Sequence, residues 1–478
     1  MRRRPRRAII VVAVLLLLAT AVPIWLLRDA DGIDEDADDR ADLIPIAAEA
    51  TPELSGRLLT ARRTPIALTA PVARDRLARS LAPFVATLPD EACLSVSLDG
   101  VRTLDVAADE PLIPASTLKL LTAVAVLETL GPDTRFVTSL VSEAPPVDGV
   151  VDGDVWVIGG GDPLLYTADY AAAFGRQPQV RTEIEGIGAA AVAAGLTSVT
   201  GSILGDEARY DTVRYLPSWP ERYIVQNNTG PLSALSVNDA FTQFEAPVVH
   251  ADDPAAWGAL SVRAFLEDEG IVIEGGTASG SAPTDPFVLA TVESLSTLEI
   301  VHQMLRESDN STAELLIKEL GLQLAGAGTW DAGTDSTVEL LTRLGLPTAG
   351  LLMQDGSGLD RGNRATCDLL LTTLDAAGPD SAIADGLAVA GETGTLARRF
   401  ADHPANGLLR AKTGFLNEVN GLVGFVDGRS GTTIGFSLLT NGLPVDSTEG
   451  FELQDALARL LVDQPIVPPI VDLPLAEG

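Results

Sequence analysis

The spacing of apolar residues changes several times along the chain, and each spacing predicts an element. Residues 8–27 are uncharged and mostly apolar. At about 1.5 Å per residue, a helix of that length spans roughly 30 Å, the thickness of a bilayer core. Arg2, Arg3, Arg4, Arg6 and Arg7 precede the run, and an acidic stretch over 29–42 follows it. By the positive-inside rule the arginines stay in the cytoplasm, so everything after Leu27 is expected outside it. Ala19-Thr20-Ala21 has the look of a signal-peptidase site, but the apolar run continues through Ile24, Trp25, Leu26 and Leu27. That continuation fits an uncleaved anchor better than a cleaved leader. Residues 1–28 are thus read as a signal anchor or signal peptide. Residues 29–70 are read as an acidic linker held extended by like charge.

Past the linker, Val72, Leu77, Leu81 and Phe84 recur on one side of a helix expected over 72–87. Strands over 93–98 and 102–107 flank Asp99-Gly100, a strong hairpin turn. Pro114-Ala115-Ser116-Thr117-Leu118-Lys119 opens a helix running to about Leu130, and its nearly all-apolar interior predicts burial on every side. From 135 to 289 the texture becomes short β-like runs between Gly, Pro and Asp turns, as in Val155-Trp156-Val157-Ile158 before Gly159-Gly160-Gly161-Asp162-Pro163. Helical texture returns over 295–322, then a strand pair over 421–427 and 432–439 turning at Gly428, then a helix over 450–462. The expected fold class is α+β, an antiparallel sheet flanked by helices. Its catalytic domain is discontinuous, 71–134 and 290–463, with a mainly β insertion over 135–289 and a Pro-rich tail over 464–478.

Composition narrows the function. A chain of 478 residues suggests two or three domains, and 46% hydrophobic content excludes a disordered protein. Net charge is −33, and without the five leading arginines 28 basic residues face 66 acidic ones, a net −38. No net positive charge remains to attract phosphates, which argues against nucleic acid as a partner. His250, His302 and His403 are the only histidines and lie far apart, so no metal and no cofactor is expected. Cys93 and Cys367 are the only cysteines. An exported chain permits a disulfide, but their separation leaves a bridge and two buried thiols equally open.

Lysine is the most informative count. Only Lys119, Lys318 and Lys412 occur, against thirty arginines. A guanidinium does not give up its proton, whereas a desolvated ammonium does, so each retained lysine hints at chemistry arginine lacks. Ser116 and Lys119, three apart at a helix start, share a face. A serine hydroxyl needs a base within hydrogen-bond reach, and a buried lysine beside another positive charge has the lowered pKa to serve. Ser308-Asp309-Asn310, in a helical region, and Lys412-Thr413-Gly414, on a strand, follow in order. Each motif alone has a bland reading: an N-cap serine, a helix-cap turn, a strand end. Together they take two of three lysines, and the trio is the signature of penicillin-binding proteins and class A β-lactamases. Gly414 is expected to let a substrate backbone lie close to its strand.

On these motifs residues 72–462 resemble the D-alanyl-D-alanine carboxypeptidases/endopeptidases of the low-molecular-weight class C penicillin-binding proteins, peptidase family S13. Gly159-Gly160-Gly161-Asp162-Pro163, Leu235-Ser236-Val237-Asn238-Asp239, Asp355-Gly356-Ser357-Gly358-Leu359 and Gly394-Thr395-Leu396 with Arg399-Phe400 add to the resemblance. So does the long gap from Lys119 to Ser308, where that class carries extra domains. The resemblance implies peptidoglycan stem peptides as substrate and β-lactam antibiotics as covalent inhibitors. It implies Ser116 as nucleophile, Lys119 as its base, Ser308 as proton relay to the leaving amine, Lys412 as positive charge and Asn310 as ligand of the substrate amide. Thr413 would hold a terminal carboxylate, and the backbone amides of Ser116 and Phe415 would form the oxyanion hole. Phe415 departs from the family, which has Ser or Thr after Lys-Thr-Gly, and this bears on carboxypeptidase against endopeptidase preference. A β-lactamase on the same core lacks an identifiable deacylating base here, and a non-catalytic wall-binding or β-lactam-sensing protein would not need the intact trio. A Ser-His-Asp hydrolase is disfavoured by the absence of a Gly-x-Ser-x-Gly elbow.

Overall fold

The computed structural model describes residues 66–428, 432–445 and 447–464. The expected anchor over 8–27 and nearly all of the expected tail lie outside the described residues. Among the described residues no helix is long and apolar enough to cross a membrane.

Helix α1 (Ile66–Val85) starts inside the stretch expected to be linker. Strands β1 (Ala92–Leu98) and β2 (Val101–Val106) follow as a hairpin, with Asp99 and Gly100 both at positive φ, as the turn requires. Helix α2 (Lys119–Leu130) carries Leu120, Leu121, Ala123, Ala125 and Val126 fully buried, the all-round burial its composition predicts. Four further strands belong to the same sheet as β1 and β2: β8 (Ala388–Val389), β9 (Leu409–Leu416), β10 (Val419–Asp427) and β11 (Thr433–Thr440). The order is β8-β9-β10-β11-β1-β2 and every pair is antiparallel.

Both faces of this sheet are covered, so its strands alternate between two cores rather than between core and water. Leu94, Val96, Leu422, Phe436 and Leu438 face α1 and the last helix, α8 (Glu449–Val462). Cys93, Val423, Phe425 and Leu439 face the opposite core, which also contains α2. On β9 this period-2 rule sends Ala411 into the first core and Lys412 to the other side, where the helices lie. Cys93 is bridged by a disulfide to Cys367, the first residue of α7 (Cys367–Ala377), with the two Cα atoms 5.9 Å apart.

The stretch between α2 and the later helices builds a second sheet around its own core of Leu140, Val155, Val157, Ile203 and Val262. Its five strands are β3 (Arg135–Ser142), β4 (Val155–Ile158), β5 (Ile203–Asp206), β6 (Thr277–Ser279) and β7 (Phe287–Ser296), in the order β6-β5-β4-β3-β7. β6, β5 and β4 run parallel, while β3 and β7 are antiparallel additions. Parallel strands need long crossovers, and one of them supplies the fifteen-residue helix α3 (Pro254–Asp268). Strands and helices therefore alternate in this stretch, and the boundary expected at 289 falls within β7. β7 leads into α4 (Thr297–Glu307), α5 (Asn310–Ala325) and α6 (Trp330–Arg343).

Candidate active site

A short 3₁₀ turn, Ala115–Leu118, delivers the chain into α2. Ala115 sits at φ +47°, a left-handed conformation that costs an L-residue about 1–3 kcal/mol and is held only by its surroundings. Gly358 packs directly against the Ala115 carbonyl, leaving no room for a Cβ. From the other side β9 presses in: a Cβ on Gly414 would lie 2.8 Å from the Pro114 carbonyl oxygen and 3.2 Å from Thr117 Cγ2. Gly414 is thus held small by the turn that carries Ser116, a packing constraint that stands beside the expected clearance for substrate.

Ser116 and Lys119 share a face as their spacing predicts. The Lys119 ammonium donates to Ser116 Oγ at 2.9 Å, to Asn310 Oδ1 at 2.8 Å and to the Ser357 carbonyl at 2.7 Å. All three of its protons are placed. Burial lowers its pKa to about 8, while the charges of Glu314, Asp355 and Asp309 hold it up. Of the two expected causes, burial and a neighbouring positive charge, only burial is at work on Lys119. Desolvation dominates there, and the repulsion appears instead on Lys412.

The carbonyl that orients Lys119 is itself fixed. Glu314, on α5, accepts from the amides of Ser357 at 2.8 Å and Gly356 at 3.1 Å, and from Trp330 Nε1 at 2.7 Å. Asp355 accepts from Trp219 Nε1 at 3.0 Å, the Gly358 amide at 2.8 Å and Asn363 Nδ2 at 2.8 Å. Burial and the Asp355 charge push Glu314 up to about 7. The stretch 355–359 carries the family likeness without any role read from it, and Glu314 was missed altogether. One signal was available: an acid one turn after Asn310, followed by the apolar Leu315, Leu316 and Ile317.

Ser308-Asp309-Asn310 is a break between helices rather than part of one. Ser308 ends α4 in the left-handed region at φ +62°, Asp309 caps α5 by accepting from the Thr312 amide at 3.1 Å, and Asn310 begins α5. The bland reading of a cap turn and the functional one are both true of the same three residues. Ser308 Oγ accepts from Lys412 Nζ at 2.8 Å, and that ammonium also donates to the Thr413 carbonyl at 3.0 Å. Burial, then the charges of Lys119 and Arg176, lower the Lys412 pKa well below the usual lysine value, with Glu307 opposing them. Asn310 donates from Nδ2 to the Asn228 carbonyl at 2.7 Å, which leaves it one further proton and one lone pair.

Thr413 and Thr395 share a hydroxyl hydrogen bond of 2.9 Å. Phe415, 57% exposed, stacks on Phe451 of α8 with centroids 5.6 Å apart. The second sheet's region reaches the site through Asp239, which accepts from Tyr170 Oη at 2.7 Å and Tyr166 Oη at 3.2 Å, and Tyr166 also touches Asp309 at 3.5 Å. Burial and the charge of Asp309 push Asp239 up to about 7. Asn238, Asp239 and Ala240 all hold positive φ, so this support is built on a strained turn. The third lysine, Lys318, is buried on the far side of α5, bonded to Asp211 at 2.6 Å and 4.0 Å from the Trp330 ring centroid.

Two hydroxyl–lysine pairs brought together on a helix-flanked antiparallel sheet mark a serine acyl-transfer hydrolase of the penicillin-binding class. The D-Ala-D-Ala carboxypeptidase 3 (S13) family matches the chain over residues 97–254 and 245–464, and the chain belongs to that family. It is 30% identical over 462 residues to the D-alanyl-D-alanine carboxypeptidase of Actinomadura sp. (strain R39), covering 78% of this chain and 83% of that protein. It is 29% identical over 412 residues to the carboxypeptidase DacB of Mycolicibacterium smegmatis, covering 83% and 86%. The fold matches crystalline penicillin binding protein 4 from Haemophilus influenzae with a TM-score of 0.66 at 20% identity, over 81% of this chain and 98% of that one. The chain is a serine-type D-Ala-D-Ala carboxypeptidase acting on peptidoglycan, and its work lies outside the cytoplasm.

Proposed function

We propose that Ser116 is the acylated residue and that Lys119 is its base. Ser116 Oγ attacks the carbonyl carbon of the penultimate D-alanine as its proton passes to Lys119, and the backbone amides of Ser116 and Phe415 hold the oxyanion. The C–N bond then breaks, Ser308 passes a proton to the departing amine, and water later hydrolyses the ester at Ser116. Lys412 supplies charge, Asn310 binds the substrate amide, and Thr413 takes the terminal carboxylate. Support comes above all from one contact, Lys119 Nζ to Ser116 Oγ at 2.9 Å, made by a lysine whose pKa burial brings to about 8. A base poised one unit above neutrality contributes about 10²–10⁴ in rate.

Residues 71–134 and 290–463 act in this reading as one discontinuous catalytic domain, with 135–289 inserted, and residues 8–27 tether the enzyme to the membrane. β-Lactams acylate Ser116 because they present the same carbonyl to the same base. The test is labelling of the exported part with a fluorescent penicillin beside Ser116→Ala. A stable adduct absent from the variant is expected, and its slow hydrolysis excludes a β-lactamase. An unlabelled, well-folded wild type would sink the mechanism in favour of a wall-binding protein.

A further inference from the structure

Four side chains join the inserted region to the turn that carries Ser308 and Asn310. Asp239 stands on the insert's turn of positive φ, between Asn238 and Ala240. Tyr166 ends a short strand, Leu165–Tyr166, and Tyr170 lies on the helix after it, Ala168–Ala173. Asp309 sits between Ser308 and Asn310 and caps α5. Tyr170 Oη donates to Asp239 Oδ2 at 2.7 Å. Tyr166 Oη lies 3.2 Å from Asp239 Oδ2 and 3.5 Å from Asp309 Oδ2, so two acids compete for its single proton.

Asp239 is buried and Asp309 half-buried, and among the described residues neither forms an ion pair. Two cations stand near without bonding either acid. The Lys119 charge is felt at Asp309, and Arg181 donates to the Tyr166 carbonyl at 2.7 Å and to Glu185 at 2.8 Å. Asp169, beside Tyr170, is exposed. Burial pushes both acids up, and for Asp239 the charge of Asp309 adds to it. Two such carboxylates on one hydroxyl repel each other, and the pair keeps one proton. With that proton on Asp309, its carboxyl donates to Tyr166 Oη and Tyr166 donates to Asp239. With it on Asp239, the chain runs the other way and Asp309 is the anion. The net charge is minus one in both states. What differs is the charge beside Lys119, because Asp309 is one of the acids that hold its ammonium.

We propose that Asp239 is a positioning residue of the reaction: it shares one proton with Asp309 through Tyr166, and so fixes the Ser308–Asn310 turn and sets the charge that Lys119 meets. The inserted region thereby takes a part in the chemistry that needs no contact with substrate. The inference rests on Lys119 being the base for Ser116.

The test is single-turnover acylation by a fluorescent penicillin, followed against pH in the wild type and three variants. The wild type should rise along a limb near pH 8, set by Lys119. Asp239→Asn suits the positive φ, which asparagine tolerates, and removes one holder of the shared proton. Asp309 then ionises, holds the Lys119 ammonium more firmly and should move the limb upward. A rise of about half a pH unit is expected, which lowers the rate at pH 7 about threefold. Asp309→Asn keeps an equivalent helix cap and should move the limb downward. The double variant should match Asp309→Asn alone, because Asp239 acts through Asp309. A merely structural Asp239 would lower the plateau and leave the limb in place, and that result overturns the inference. So does a double variant whose limb departs from that of Asp309→Asn. Should Asp239→Asn not fold, Tyr170→Phe takes its place. It removes a donor from the Asp239 carboxylate, which draws the shared proton there and should raise the limb by a smaller step. An unmoved limb in Tyr170→Phe overturns the inference equally. A wild type without the limb would take the role of Lys119 down as well, whereas a limb that ignores Asp239 leaves that role standing.

Discussion

The two serine–lysine pairs look alike at the level of contact and differ in their surroundings. Each lysine is fully buried and donates to a serine hydroxyl, at 2.9 Å for Lys119 on Ser116 and 2.8 Å for Lys412 on Ser308. Around Lys119 stand the acids Glu314, Asp355 and Asp309, which offset part of the desolvation and leave its pKa at about 8. Around Lys412 stand Lys119 and Arg176, which add to the desolvation, with Glu307 alone opposing. The same two side chains thus acquire different work. At neutral pH roughly a tenth of a group with a pKa of 8 is the free base, enough to serve the proposed proton transfer from Ser116 on each turnover. Burial and those like charges favour loss of the Lys412 proton, and in the proposed mechanism an arriving carboxylate would favour its return, since an opposite charge favours the ammonium.

The contrast is broken or kept most decisively by replacing each lysine with arginine. Lys119→Arg keeps the charge and removes the base, because guanidinium does not deprotonate, and acylation by penicillin should fall about 10³-fold. Lys412→Arg keeps the charge that is wanted there and disturbs only the packing and the hydrogen bond to Ser308, so the loss should be roughly tenfold to a hundredfold. Single-turnover acylation rates measure both, with thermal unfolding as the check on folding. Equal losses in the two variants would erase the distinction.

This asymmetry is also where reading the chain ran out. Ser116 and Lys119 were legible as a pair because three residues along a helix set their distance locally. Ser308 and Lys412 are 104 residues apart, and only the co-occurrence of motifs joined them. The disulfide between Cys93 and Cys367 spans 274 residues, and nothing local could show it. The sheet's final strands were readable as mostly apolar runs, and α8 from Leu453, Leu457 and Leu461 recurring along one side of a helix. The second sheet was read as short strands, and its crossover helix α3 went unseen because its apolar positions are diluted by Ala and Gly. Least visible were the acids that tune Lys119. Glu314 and Asp355 act through backbone amides and carbonyls of distant loops, and amides carry no side-chain signature. The expected burial of Lys119 held, while the expected positive neighbour gave way to these acids, whose placement is a property of the whole fold.

Glu314 offers a finer cut through the comparison. Its charge raises the Lys119 pKa, so neutralising it in Glu314→Gln should lower that pKa further and move the rising limb of acylation to a pH below about 8. Glutamine also presents an amide nitrogen where Glu314 accepts from Ser357 and Gly356, which loosens the Ser357 carbonyl that orients Lys119. The plateau should therefore drop by about threefold to tenfold, the cost of one buried donor left without an acceptor. A limb that stays near 8 would mean that desolvation alone sets Lys119, and one that moves upward would reverse the sign assigned to Glu314.

The smallest effect is expected at Phe415, on the strand that carries Lys412. Thr413 and Phe415 are two residues apart on β9 and so share a face, and the phenyl ring stacks on Phe451. The ring is 57% exposed, so Phe415→Ser forfeits little packing and places a second hydroxyl beside the proposed carboxylate grip. One added hydrogen bond is worth about 0.5–1.5 kcal/mol net, and at the lower end that is a two- to fivefold fall in KM for peptides ending in free D-alanine. The gain should grow as pH rises, because a more firmly held carboxylate keeps the proton on Lys412 where the native site begins to lose it. Acylation by penicillin should change less than the peptide reaction if Phe415 contributes only its backbone amide to the oxyanion. A KM that stays level across pH would separate the carboxylate from Lys412 and leave the two lysines distinguished by Lys119's acids alone.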